Sequence, residues 1–198
     1  MASRIRDGQS ADAVRLFAGF AGFGAASVNL AIASSLLVEP ARAAVQWQIP
    51  VAAAAGLWGI ALIVWTVTAL RGGTFPLPRL AMALLLAAAG THIVAIATAR
   101  SPGPSSLSIS QLAALLLTLM IVASAAWLQR QDRSRNHDGG LPTPAGPKPG
   151  RLLIAAFTGA VVVASVATPG LSASTAGQYA VPHGGHGVEL PKGSHHQH

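Results

Sequence analysis

The chain has little charge and no cysteine. Only 10% of its 198 residues are charged, whereas about a quarter of an ordinary soluble domain is charged, so the composition excludes a conventional water-soluble surface. The absence of cysteine excludes disulfides, thiolate metal sites and iron–sulfur clusters within this chain. Carboxylates are also scarce, and none lies in the long apolar stretches, where a proton-coupled transporter usually places an acid. The six are Asp7, Asp12, Glu39, Asp132, Asp138 and Glu189.

Motifs that would identify an enzyme are missing as well. The sequence has no Walker A phosphate-binding loop, no H-E-x-x-H zinc motif and no Gly-x-Ser-x-Gly nucleophile elbow. The sequence pI is about 11.6, but there is no basic stripe with interleaved aromatic residues of the kind that binds nucleic acid. We therefore expect no catalytic residue, no enzymatic activity and no nucleic-acid partner.

Apolar residues, by contrast, are abundant and fall in long blocks. They make up 52% of the sequence, and a stretch of about 20 such residues matches the hydrocarbon thickness of a bilayer. Proline, glycine and charged residues separate the blocks, as expected where a chain leaves a helix and enters water. The sequence predicts five membrane spans, near 16–38, 49–70, 80–99, 107–128 and 152–169.

These spans predict an all-α integral membrane protein, a bundle of about five transmembrane helices with a disordered or extended extracytoplasmic His-rich tail. We expect five parts: a cytoplasmic N-terminal segment (1–15), a four-helix transmembrane block (16–128), a cytoplasmic Pro/Gly-rich basic linker (129–151), a fifth transmembrane helix (152–171) and the extracytoplasmic tail (172–198). The fifth segment also has the parts of a secretory signal, and cleavage near Ala173 would release the tail. Its position after four spans favours a retained helix.

Lysine and arginine are distributed unevenly between the ends of the predicted helices. Basic residues are retained on the cytoplasmic side during insertion. The segments that flank the predicted helices lie alternately on the two sides of the membrane. Those on one side contain ten basic residues in total, and those on the other side contain three. We therefore expect a multi-pass protein of the cell membrane with a cytoplasmic amino terminus and an extracytoplasmic tail. The three on the outer side are Arg42, Arg100 and Lys192.

Three polar residues inside the predicted spans lie at a similar depth, toward the outer side. His92 is the one ionisable group deep in a span; it either hydrogen-bonds to a neighbouring helix or ligates a metal or haem iron together with another subunit. Hydrogen bonding is favoured, because haem ligation within one chain needs a second deep histidine. Asn29 and Gln111 complete a predicted outer polar layer, in which Asn29 and His92 are close enough to meet.

Small residues recur at four-residue spacing in the first span. Ala18 is followed by Gly22, and Ala21 by Ala25. Small side chains let helix backbones approach closely in lipid. The pattern predicts tight helix packing, either within the bundle or between subunits.

The carboxyl-terminal tail holds five of the seven histidines. They are His183, His186, His195, His196 and His198. Imidazole is a good ligand for Cu(II), Zn(II) and Ni(II), the intervening glycines let several rings reach one ion, and Glu189 offers an oxygen. The pattern predicts a copper or zinc site formed by these histidines. The alternative is a polar tail that binds no metal.

Two functions fit these features. In the first, the outward-facing tail binds copper or zinc in metal handling or metalloprotein assembly. In the second, the chain is a non-catalytic accessory subunit of a larger membrane complex, and the tail docks on a partner. The expected partners are the lipid bilayer, a transition metal ion, and other membrane subunits or further copies of this chain.

Overall fold

The computed structural model of the chain contains five α-helices. It describes residues 2–38, 48–73, 75–98, 106–137 and 149–174, and no β-strand occurs among them. The helices are α1 (Ala2–Val38), α2 (Gln48–Gly72), α3 (Pro78–Thr98), α4 (Ser106–His137) and α5 (Pro149–Ser172).

All five helices are long and apolar enough to cross a bilayer. Their membrane-length stretches are Ala11–Leu37, Gln48–Gly72, Pro78–Thr98, Leu107–Arg133 and Leu153–Ser172. Hydrocarbon offers no water to bond the backbone, so such sequences adopt the helix, which satisfies its N–H and C=O groups internally. For the part of the chain that is described, the prediction of an all-helical protein with five membrane-length helices is confirmed.

Two helices extend beyond the apolar segments that predicted them. α1 begins at Ala2 rather than near residue 16, and α4 continues to His137 rather than ending near residue 128. The apolar pattern marks where a helix contacts lipid, but backbone hydrogen bonding continues through good helix formers such as Gln129 and Arg130. Within the predicted linker 129–151, residues 129–137 and 149–151 are helical and residues 138–148 lie outside the described part.

Several prolines and one glycine lie at or near helix ends, where their backbone properties are tolerated. Pro78 and Pro149 are the first residues of α3 and α5, positions whose N–H has no partner within the helix in any case. Gly73 follows α2 with a φ of 64°, the left-handed conformation that commonly terminates helices. Pro169 lies inside α5, but so close to its end that only the last turns are affected.

α1 lies at the centre of the bundle. It packs along α2, α4 and α5, while α4 also contacts α3 and α5. α3 is held mainly by α4. The core forms where α1 and α4 meet, around the fully buried side chains of Val28, Leu117 and Ile121.

Small residues on α1 make this central position possible. Ala18, Ala21, Gly22 and Ala25, the residues spaced four apart, are all buried. A Cβ atom added at Gly22 would collide with the side chain of Thr66 on α2. Close backbone approach is the main packing device of helices in lipid. The predicted tight packing is therefore confirmed, and these residues pack within the bundle.

Candidate functional site

The predicted metal ligands follow α5 in the chain. α5 ends at Ser172 and the described residues end at Ser174. The five tail histidines and Glu189 lie outside the described residues, and the metal site stays a prediction. These histidines are His183, His186, His195, His196 and His198.

His92 joins α3 to α4 through a side-chain hydrogen bond. Its Nδ1 lies 2.5 Å from Oε1 of Gln111, and only 6% of the residue is exposed. An amide oxygen only accepts hydrogen bonds, so Nδ1 carries the proton in this arrangement and donates it. The expected hydrogen bond between His92 and a neighbouring helix is therefore present.

The second ring nitrogen of His92 has no hydrogen-bond partner. Nε2 is buried, and with the proton on Nδ1 it carries a free lone pair. Metal-ligating histidines have a similar arrangement, donating one N–H to a carbonyl while the other nitrogen binds the ion. A protein metal site usually has three or four such ligands. The described residues contain no cluster of three or more His, Cys, Asp or Glu side chains.

A second polar contact lies beside this pair and joins α4 to α5. The Ser110 hydroxyl donates to the backbone oxygen of Gly170 over 2.8 Å, in a buried position. The two helices approach so closely that a Cβ atom at Gly170 would lie 2.5 Å from Cβ of Ala113. Any larger residue at position 170 would push the helices apart and lengthen the hydrogen bond.

Asn29 lies at the same depth but bonds within its own helix. The adjacent Val28 would lie 3.5 Å from a Cβ atom at Gly170, which places Asn29 beside the contact between α4 and α5. Its Nδ2 donates to the backbone oxygen of Ala25 over 2.8 Å. Residues of the predicted polar layer therefore lie at one level of the bundle, but Asn29 and His92 bond to other partners and are not hydrogen-bonded to each other.

The polar layer, as the structure defines it, consists of Asn29, His92, Ser110 and Gln111. Its groups are an imidazole, two amides and a hydroxyl, and none is a carboxylate. Three of the four bond across helices, which fixes how α3 and α5 sit on α4. The arrangement orients the bundle and leaves one unpartnered nitrogen, Nε2 of His92.

Sequence reasoning did not single out Ser110 or Gly170. A signal was available, because glycine lowers the stability of a helix interior and is kept in membrane helices chiefly where another backbone comes close. The identity of the facing residue, Ser110, has no comparable signal in the sequence, since hydroxyls in membrane helices commonly bond to their own backbone.

No protein-family model, curated protein or solved structure matches this chain. The described residues define a class of protein, a helical protein with five membrane-length helices.

Proposed function

We propose that the chain is a multi-pass protein of the cell membrane whose outward-facing tail binds copper or zinc, in metal handling or metalloprotein assembly. The observation that carries the proposal is the concentration of five histidines in the last 16 residues. Imidazoles are strong ligands for these ions, and His183 and His186 are separated only by two glycines, which lets both rings turn toward one ion. The other three ligands are His195, His196 and His198.

The orientation of the tail rests on helix number and on charge. An odd number of crossings puts the two chain ends on opposite sides of the membrane, and five helices have the length to cross. The excess of basic residues on the amino-terminal side favours a cytoplasmic amino terminus and an outer tail. The chain has no native thiol, so Ser134→Cys and Ser194→Cys each introduce one cysteine that reports its own side.

We expect a membrane-impermeant thiol reagent, applied to intact cells, to label Ser194→Cys and to leave Ser134→Cys unlabelled until the membrane is permeabilised. Labelling of both variants in intact cells contradicts five crossings. Labelling of Ser134→Cys alone reverses the orientation and places the tail in the cytoplasm.

The composition of the tail also indicates how it would bind. Glycine loses more conformational freedom on ordering than any other residue, and that entropy opposes formation of a site. We expect moderate affinity and fast exchange, which suits capture and transfer of an ion. A permanent structural zinc favours a closed tetrahedral site on a fixed scaffold.

Metal titration of the purified full-length protein tests the proposal. Cu(II) should bind more tightly than Zn(II), following the general affinity order. Binding should weaken as the pH falls through about 6.5, because protons compete with the metal for neutral imidazole. Replacement of all five tail histidines by alanine should abolish binding. His92→Gln, which changes a histidine of α3, is the control and should leave the number of bound ions unchanged.

Two results contradict the tail site. One is an affinity that does not depend on pH. The other is binding that survives loss of all five tail histidines. If His92→Gln alone removes the ion, the site belongs to α3 and the tail has another role.

An accessory subunit of a larger membrane complex is the second candidate. The observation in its favour is that α3 is held mainly by α4 and exposes large apolar side chains over much of its surface, which a helix of another subunit would cover. A stoichiometric partner that copurifies from native membranes in mild detergent, together with a tail that binds no metal, would support this function over the first.

A further inference from the structure

A small crevice opens between α1 and α2, at the end of the bundle opposite the polar layer. Its lining includes Arg15 and Gly19 of α1, Thr66 and Leu70 of α2, and Phe75 in the turn after α2. Its volume of about 10 Å³ is close to the minimum that holds one water molecule. A larger ligand must therefore lie at its mouth.

One wall of the crevice carries a hydroxyl without a partner. Thr66 is only 1% exposed, and its Oγ1 makes no hydrogen bond. Thr118, a comparable buried threonine, donates to the backbone oxygen of Ala114 over 2.7 Å, which is the usual solution in a helix. A buried hydroxyl left unpaired is unfavourable, but this one packs against Gly22 of α1 and is closed off from the crevice.

Arg15 gives the crevice a positive charge. Its Nη1 bonds to Oδ1 of Asp12 over 3.0 Å, and 30% of its side chain is exposed. A guanidinium has five N–H donors in a planar fork that matches phosphate oxygens. The ion pair with Asp12 uses one nitrogen and leaves donors for a second anion.

The turn beside the crevice is held in position. Phe75 stacks on Trp65, with ring centroids 4.9 Å apart. The indole Nε1 of Trp65 donates to the backbone oxygen of Pro76 over 3.2 Å. Both rings line the crevice, and an indole such as that of Trp65 favours the headgroup level of a bilayer. The entrance is therefore preformed.

The surroundings of the crevice favour a lipid over a soluble anion. Leu77 and Leu80, just beyond Phe75, are 68% and 53% exposed and offer a surface to hydrocarbon chains. Arg71 and Arg79 are exposed at the same end of the bundle, and clusters of basic residues at helix ends attract anionic headgroups. A phosphate near arginine with hydrocarbon alongside is the arrangement of a phospholipid.

We propose that this crevice is a binding site for the headgroup of an anionic phospholipid. The phosphate lies at the mouth and accepts hydrogen bonds from Arg15. The site is independent of the metal-binding tail.

Native mass spectrometry of the full-length protein with phosphatidylglycerol and phosphatidylcholine tests this site. The protein should retain phosphatidylglycerol preferentially. Arg15→Gln should weaken that binding about fivefold, which corresponds to about 1 kcal/mol for one basic residue. Asp12→Asn should strengthen it, because the competing carboxylate is gone. Arg133→Gln, an exposed arginine of α4 outside the crevice lining, is the matched control and should have no effect.

Three outcomes overturn the proposal. Equal losses in Arg15→Gln and Arg133→Gln mean a diffuse attraction of basic residues for anionic lipid. A lack of preference for phosphatidylglycerol removes the headgroup assignment. Displacement of the lipid by millimolar inorganic phosphate makes a soluble anion the ligand. If Arg15→Gln does not fold, Arg15→Lys and Asp12→Asn decide: weaker binding in the first and tighter binding in the second support the site, and no change in either rejects it.

Discussion

α1 and α3 reverse the relation between apolarity and burial that holds in water. In the most apolar stretch of α1, 61% of the residues are buried, against 17% in α3, although α3 is the more apolar of the two. In a soluble protein the large apolar side chains collect in the core. In a bilayer, lipid covers such side chains, so the apolarity of a helix gives no indication of its burial.

The side chains of the two helices show what replaces apolarity as the signal for burial. α3 exposes Leu84, Leu86, Ile93 and Val94, all of them large. α1 buries a run of alanine and glycine, because lipid provides no hydrophobic force between helices and close van der Waals contact has to hold them together. In α1, the small residues lie at the contacts with the neighbouring helices.

The largest expected effect comes from enlarging one glycine in each of these helices. At Gly22 of α1, an added Cβ atom meets Oγ1, Cβ and Cγ2 of Thr66, the two carbons at 3.3 Å, so rotation of the threonine relieves the contact only in part. Gly22→Leu should lower the free energy of unfolding by about 1–3 kcal/mol, the usual cost of overpacking. At Gly90 of α3 nothing lies within 4 Å of an added Cβ, so Gly90→Leu should be neutral or slightly stabilising.

Reversible unfolding of the purified variants in mixed detergent micelles gives both values. Helical content measured before unfolding shows whether each variant folds at all. A similar loss for the two substitutions would remove the distinction between a packed helix and a lipid-facing one.

A smaller effect is expected at the contact that holds α3 on α4. His92→Leu, Gln111→Leu and the double variant form a mutant cycle, and their coupling should be about 0.6 kcal/mol, the average for hydrogen bonds between membrane helices. The effect is small because each group finds other partners when the helices separate. The same unfolding assay measures it.

The cycle also separates the two interpretations of His92. Strictly additive losses mean that the hydrogen bond does not stabilise the fold. Loss of a bound metal or of a haem absorption band in His92→Leu, with little change in unfolding, would make His92 a ligand instead of a packing residue.

The depth of the polar residues was predictable from sequence, but their pairing was not. Counting residues along each span places Asn29, His92 and Gln111 in one layer. Which of them meet depends on the rotation of each helix about its axis, and packing determines that rotation. Asn29 turns toward Ala25 of its own helix, and Gln111 takes the position that the sequence suggested for Asn29.

The number of helices was predictable for a simpler reason. A bilayer demands about 20 apolar residues per crossing, and that requirement is visible in any apolar block. The sequence has no comparable signal for which helices pack together. The spacing of Ala18 with Gly22 and of Ala21 with Ala25 indicates that this face of α1 is packed. It does not indicate that α2, α4 and α5 are the helices that pack there. The tail histidines give a chemical prediction only, since they lie outside the described residues.

The central position of α1 has a consequence for the order of assembly. α1 is made before α5, and about 110 residues separate Val38 from Pro149. Ribosomes add ~5–20 residues per second, so roughly 5–20 s pass before α5 is available. In that time α1 and α2 can form a hairpin. The side of α1 that faces α5 in the finished bundle, where Phe17 contacts Gly159 and Gly24 contacts Val163, still borders lipid or the insertion machinery. The later helix therefore completes the surroundings of the earlier one.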